Sequence, residues 1–205
     1  TMKHITALTL AALLASTAAP ALAQEQGDIT VGLGLGVAVP KDNNGILAGP
    51  TPIDVDDGIS PTITVEYFVI DNVGIELLAS WPFSHDIDSN GTKIGNVKHL
   101  PPTLSLQYHF TNTSRITPFA GVGINYTYFF DEDAKGPIAG RNLSLDDSWG
   151  VALHAGLDFA VSDKGALRAD VRWIDIDSDV KLNGTKIGKA KIDPWVFNVA
   201  YVHKF

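Results

Sequence analysis

The chain has 205 residues, a formal charge of −8, 19 glycines, 11 prolines and no cysteine. The acidic balance argues against nucleic acid as a partner, because gripping a phosphate backbone takes clustered cations. The lack of cysteine excludes disulfides and thiolate metal sites. A mean hydropathy of +0.10 suits a β protein in which half the strand positions face lipid.

Lys3 and His4 precede an apolar run over residues 5–15, and Ala21-Leu22-Ala23 follows with small residues at both positions that a signal peptidase reads. Residues 1–23 are therefore expected to be a cleaved secretory signal, with 24–205 remaining as a single barrel domain. The apolar run is too short for a membrane-spanning helix, and no later stretch offers the ~20 consecutive apolar residues such a helix needs.

From residue 28 onward the period is two. The first strand, residues 28–39, alternates Ile29, Val31, Leu33, Leu35, Val37 and Val39 with Thr30, Gly32, Gly34, Gly36 and Ala38. Further strands are expected over residues 62–70, 73–81, 102–110, 118–130, 148–159, 167–175 and 195–205. Each sets a large apolar face against a small or polar one. In the second, Ile63, Val65, Tyr67 and Val69 oppose Thr62, Thr64 and Glu66; in the third, Leu77 and Trp81 oppose Glu76 and Leu78. In the seventh, Leu167, Val171 and Trp173 oppose Arg168, Asp170 and Arg172. Each is about the ~9–11 residues that a tilted strand needs to cross a hydrocarbon layer.

The connections sort by length. Residues 40–61, 82–101, 131–147 and 176–194 are long, while 71–72, 111–115 and 161–165 are short. Trp81, Tyr128, Phe130, Trp149, Trp173 and Trp195 gather at the strand ends next to the long connections, and Phe110, Phe159 and Phe205 at the other ends. Girdles of this kind, one set of long loops and a final strand that ends on Phe205 predict an all-β fold. It is an eight-stranded antiparallel transmembrane β-barrel with long extracellular loops and short periplasmic turns, in the outer membrane of a Gram-negative bacterium.

Several runs occur in order along the chain: Asp71-Asn72-Val73-Gly74-Ile75-Glu76-Leu77-Leu78, Pro82-Phe83, His99-Leu100-Pro101-Pro102-Thr103, Pro118-Phe119-Ala120-Gly121-Val122-Gly123-Ile124-Asn125-Tyr126, Asp147-Ser148-Trp149-Gly150, Asp175-Ile176-Asp177 and Asp193-Pro194-Trp195-Val196-Phe197. With them the chain resembles the OmpW family of eight-stranded outer-membrane barrels. The resemblance implies a largely hydrophobic funnel open to the outside, uptake of small apolar molecules, and for some members a role as bacteriocin receptors. It also implies a route in which solute meets a blocked lumen and leaves sideways into the outer leaflet. The family's inward leucine at the inner gate falls on Leu78, and its inward aromatic partner falls on Arg172, which departs from an apolar floor.

A barrel of eight strands encloses room only for side chains or one small ligand, which excludes a wide diffusion channel. Glu66, Glu76, His154, Asp158, Arg168, Asp170 and Arg172 point inward and are expected to pair, either as a structural plug or along a continuous ion pore. Leu78, Phe83, Ile87, Phe129 and Arg172 are the candidate funnel and gate. Pro82, Pro101 and Pro102 flank the connection between strands three and four, where missing ladder donors would weaken the seam for a lateral exit or merely end the strands. Asn90-Gly91 and its repeat Asn183-Gly184 predict hairpins within two of the external loops.

Asp175, Asp177 and Asp179 are spaced like a calcium loop, but Val180 and Lys186 replace its glycine and glutamate, so these carboxylates are expected to share divalent ions with lipopolysaccharide instead. Ser84 with His85, and Ser148 with His154, are the nearest candidates for hydrolytic chemistry. The first pair points to opposite faces and the second lies about 20 Å apart along a strand, so no enzyme, metal or cofactor is expected. The expected partners are outer-membrane lipids and lipopolysaccharide, small hydrophobic solutes, and the barrel assembly machinery through Phe205. Two functions remain open: passive uptake of small hydrophobic molecules, and a structural or receptor barrel whose loops bind an external ligand.

Overall fold

Alternation of large apolar with small or polar residues leaves each strand one face for lipid and one for the interior. In the computed structural model, which describes residues 24–48 and 51–205, those strands close on themselves. The signal expected over residues 1–23 lies outside the described residues. The wall consists of β1 (Ile29–Val39), β2 (Gly58–Ile70), β3 (Val73–Ser80), β4 (Thr103–His109), β5 (Ile116–Ala134), β6 (Ser148–Ser162), β7 (Gly165–Ile174) and β8 (Trp195–Lys204). Each is antiparallel to its neighbours, and β8 pairs with β1 from Thr30 opposite Lys204 to Val39 opposite Trp195. Closure pairs the first strand with the last, so neither is left as an open edge, which a strand in hydrocarbon could not tolerate. Phe205 N–H donates to Ile29 O at 2.9 Å, so the last residue is tied to the first strand.

Leu33, Leu35, Ile63, Val65, Leu77, Leu104, Leu106, Val122, Leu153, Phe197 and Val199 remain exposed on the outer face. A continuous apolar band of that size has no place on a protein surrounded by water. Trp81, Tyr128, Trp149 and Trp195 are exposed at one end of it and Phe110, Phe159 and Phe205 at the other.

Four strands run further than the alternation predicts, among them β7, which starts at Gly165 and not at residue 167. β2 begins at Gly58 despite Pro61, because the carbonyl of Pro61 faces β3 and accepts from Trp81 N–H at 2.9 Å. Its missing donor points to the same side, just past the end of β3, where no ladder partner is left wanting. β5 continues through the acidic residues Asp131 to Asp133, and β6 reaches Ser162.

Above the Trp and Tyr girdle the long connections build a cap. Residues Phe83–Ser89 and Thr92–Leu100 form a hairpin that pairs with the extended end of β5, from Tyr128 opposite Leu100 to Ala134 opposite Gly95. Asp177–Leu182 and Thr185–Lys191 form a second hairpin, joined by Leu143–Leu145 on one side and Gly45–Leu47 on the other. Both turns have positive φ at both central residues, 50° and 72° at Asn90-Gly91 and 52° and 78° at Asn183-Gly184, the backbone that Asn-Gly favours in two-residue hairpins. The large apolar core of the molecule lies here. Leu47, Ile53, Phe83, Ile87, Val97, Phe129, Leu143, Leu145, Ile176, Val180 and Ile192 pack into one buried cluster, whereas the lumen below is chiefly polar.

Candidate functional site

β3 and β7 stand on opposite sides of the barrel, separated by β8, β1 and β2 in one direction and by β4, β5 and β6 in the other. Inward side chains from these two strands therefore meet across the lumen. Arg168 grips Asp158 through Nε at 2.7 Å and Nη2 at 2.9 Å, and reaches Glu76 Oε2 through Nη1 at 2.8 Å. Arg172 Nη2 lies 2.8 Å from the other oxygen, Glu76 Oε1. Glu66 closes the lower part of the network, 3.6 Å from Arg168 and 2.9 Å from His109 Nε2. Gln107 bridges Glu66 to His154, and Asn198 donates to Asp170 at 2.9 Å. Phe119 lies under the Arg168 guanidinium with its ring centre 4.4 Å away. The seven expected lumen residues are thus brought into one network, and Phe68 and Phe119, which the alternation overlooked, fill the space around it.

Leu78 lies one inward position above Glu76 on β3. It faces Thr103, the last residue of β4 to pair with β3. Backbone pairing resumes only at Phe83 opposite His99. Among the described residues no ladder joins 79–82 to 100–102. Each side of this break is held by its outer neighbour instead. Trp81 N–H donates to Pro61 on β2, while the carbonyls of Pro101 and Pro102 accept from Asn125 Nδ2 at 3.0 and 3.1 Å on β5. Pro82, Pro101 and Pro102 thus sit together at the break.

Phe83, Ile87 and Phe129 are buried in the core of the cap, and the open funnel that the family resemblance implies is filled. The side chains of the two cap sheets close on one another and leave a cavity of about 20 Å³, room for one water at most. Arg172, expected at the floor of that funnel, lies below Leu78 within the ion-pair network.

Two buried histidines line the cavity. His85 and His99 stack with planes 5° apart and centres 4.9 Å apart; Phe83 continues the stack at 22° to His99, and Phe129 meets His99 at 55°. Burial pushes both imidazoles below their ordinary pKa, His99 to about 3. For His85 the hydrogen bond to Asp56 O and the charges of Asp57, Asp56 and Asp86 partly oppose that shift. Sequence reasoning did not single out His99. The Asn-Gly turn pointed toward the pairing, but a bulge between Ile87 and Asp88 displaces the register by one residue.

The candidates for hydrolysis stay apart. Ser84 is exposed while His85 is buried on the opposite face; Ser148 Oγ accepts from Asp177 N–H while His154 is held by Gln107. The calcium-like spacing is also rearranged. Asp179 turns to Lys186, and Asp193 joins Asp175 and Asp177 instead, with Lys41 on Asp193 and Lys189 on Asp177 balancing the charge.

An apolar outer band between aromatic girdles, wrapped around an ion-paired lumen, defines an outer-membrane β-barrel. The sequence model of the OmpW family matches residues 25–205. Outer membrane protein W of Vibrio cholerae serotype O1 is 36% identical over 210 residues, covering 96% of this chain and 97% of that protein. Outer membrane protein W of Escherichia coli K12 is 36% identical over 209 residues, covering 97% and 99%. The crystal structure of OprG from Pseudomonas aeruginosa matches with a TM-score of 0.81 at 32% identity, covering 90% of this chain and 99% of that one. The chain belongs to the OmpW family. It is a protein of the Gram-negative outer membrane, with the cap outside and the short turns in the periplasm.

Proposed function

We propose that this barrel takes up small hydrophobic molecules passively from the outside and releases them sideways into the outer membrane. The observation that carries this reading is the position of the break between β3 and β4. It lies between the apolar core of the cap, which includes Phe83 and Phe129, and the charged network of Glu76, Arg168 and Arg172, with buried Leu78 on β3 at the last paired position below the break. An apolar solute moving inward would exchange apolar contacts for buried charges at that level, which is unfavourable. The seam beside Leu78 offers lipid instead, at a height where, among the described residues, no backbone hydrogen bond between the two strands has to break. Loading requires the cap to open, since the closed chamber holds no solute.

The test is uptake of a labelled alkane or small aromatic by cells lacking their own such barrel, with and without this chain and with Leu78→Arg. Faster uptake that Leu78→Arg abolishes is the expected result. Unchanged uptake with the barrel folded in the membrane overturns the reading. A closed cap with room for one water at most is the observation favouring the second reading, a structural or receptor barrel whose loops bind a bacteriocin or a host ligand.

Three further assignments belong to the same proposal. Residues 1–23 direct export and are removed. Phe205 presents the last strand to the barrel assembly machinery. The carboxylates and lysines of the cap meet lipopolysaccharide and its divalent ions.

A further inference from the structure

We propose that the chamber selects flat aromatic solutes bearing one hydrogen-bond donor, of the phenol or indole kind, and that His85 and His99 recognise them. The inference rests on the uptake reading and narrows its substrate class. His85 Nδ1 lies 2.5 Å from the carbonyl oxygen of Asp56. A carbonyl only accepts, so Nδ1 carries the proton and Nε2 is left with a bare lone pair. That Nε2 is buried and, among the described residues, has no partner; His99 Nδ1 is likewise buried without a partner and accepts in the tautomer that carries its proton on Nε2. Both rings border a cavity whose other walls are Leu47, Ile53, Ile87, Val97, Leu143 and further aliphatic side chains.

An acceptor shut away from water without a donor is unfavourable, and the loss is recovered by whatever brings a donor to it. An alkane brings none. A phenol O–H or an indole N–H does, and once the cap opens to admit it, its ring can extend the stack that Phe83, His85 and His99 already form. Because burial holds both imidazoles neutral, they offer a lone pair without a charge, which suits an uncharged aromatic better than an organic acid. Nothing in the uptake reading itself needs histidine at these positions; aliphatic residues would line a general hydrophobic funnel equally well.

The experiment uses the full barrel in lipid nanodiscs, with binding to empty nanodiscs subtracted. The probes are 2-naphthol, naphthalene and 2-methoxynaphthalene, which share one ring system while only the first carries a donor. Recovering one buried hydrogen bond predicts about tenfold tighter binding of 2-naphthol than of the other two. His85→Phe and His99→Phe keep the rings and are expected to bring 2-naphthol down to the affinity of naphthalene. Equal binding of all three probes by the unaltered protein overturns the donor inference while leaving uptake intact, and that comparison does not depend on either variant folding. A preference that survives both substitutions also overturns it. Binding of none of the three sinks the uptake reading along with it.

Discussion

Arg172 on β7 reaches across the barrel to Glu76 on β3, Nη2 to Oε1 at 2.8 Å, and so braces two walls that share no backbone hydrogen bond. Arg168, one inward position along β7, takes the other oxygen of the same carboxylate at 2.8 Å. One carboxylate therefore holds two guanidiniums in a lumen where none of the three is exposed to water. Desolvating such groups is expensive, and only mutual pairing with their remaining hydrogen bonds offsets it. Glu76→Ala takes from Arg172 its nearest carboxylate and leaves Arg168 with Asp158 and Glu66 alone. Removing one partner of a buried pair costs about 3–5 kcal/mol, and denaturant unfolding in detergent micelles is expected to show a loss in that range. A loss below about 1 kcal/mol would mean that water enters the lumen and screens the pair.

The same braces are expected to hinder small ions in the lumen, since they fill it at the level of Glu76. Arg172→Ala removes the upper strut and the donor to Ser105 Oγ, leaving a gap at the level of Glu76 that water can fill. Planar-bilayer recordings are expected to show a rise in small-ion conductance over the unaltered barrel. If conductance stays at baseline, Arg168 with Asp158 and Glu66 suffices as the barrier, and the double variant Arg168→Ala/Arg172→Ala becomes the decisive comparison.

The strands and their lumen-facing residues were legible because a barrel wall imposes strict alternation, lipid on one side and neighbours across the lumen on the other. Glu66, Glu76, Asp158 and Arg168 all declared themselves as polar positions within apolar strands. Their pairing was not legible, since Glu76 and Arg168 lie 92 residues apart and meet only because the sheet closes. Alternation also failed wherever lipid no longer dictates it. Gly58 to Pro61 and Asp131 to Ala134 continue β2 and β5 above the membrane, where polar residues and proline serve a strand as well as apolar ones. The filled chamber followed from no local pattern, because its lining comes from cap segments scattered between Leu47 and Ile192.

Gly91 and Gly184 isolate the energetics of the cap hairpins. Both have positive φ, and a methyl group at either would meet open space. Any cost of Gly91→Ala or Gly184→Ala therefore comes from the backbone alone, about 1 kcal/mol at a left-handed position. Hydrogen exchange is expected to speed up in residues 83–100 for Gly91→Ala and in 177–191 for Gly184→Ala, with the barrel strands unchanged. Faster exchange throughout the wall would mean that cap and barrel unfold as one unit.

The stacked histidines make the closed cap sensitive to pH. Burial holds His99 near 3 and His85 below its ordinary value, whereas an opened cap would return both toward about 6.5. Above about pH 6.5 both rings are neutral in either state and the closed cap keeps its full advantage. As pH falls from there the open state gains protons that the closed state refuses, so closure weakens by up to about 1.4 kcal/mol per pH unit for His99 down to about pH 3, and His85 adds to the slope until its own lowered pKa is reached. Hydrogen exchange of residues 83–100, corrected for the intrinsic pH dependence of exchange, is expected to show protection falling between pH 7.5 and 5. The double variant His85→Phe/His99→Phe is expected to lose that slope. Protection that stays level in the unaltered barrel would show that the rings remain shielded when the cap opens.

The seam between β3 and β4 is open to a direct chemical test, since the chain has no cysteine of its own. Ser80→Cys with Pro101→Cys places one thiol on each side of the break, at positions that no backbone pairing joins. A short bifunctional thiol reagent spanning the two would close the seam without touching the chamber or the ion pairs below Leu78. Uptake of a labelled apolar solute is expected to fall about tenfold after cross-linking and to recover when a cleavable linker is cut. Each single-cysteine variant treated with the same reagent controls for simple blockage of the cap. Uptake that survives the cross-link would remove the lateral exit and leave the lumen, past Arg172 and Arg168, as the only way through.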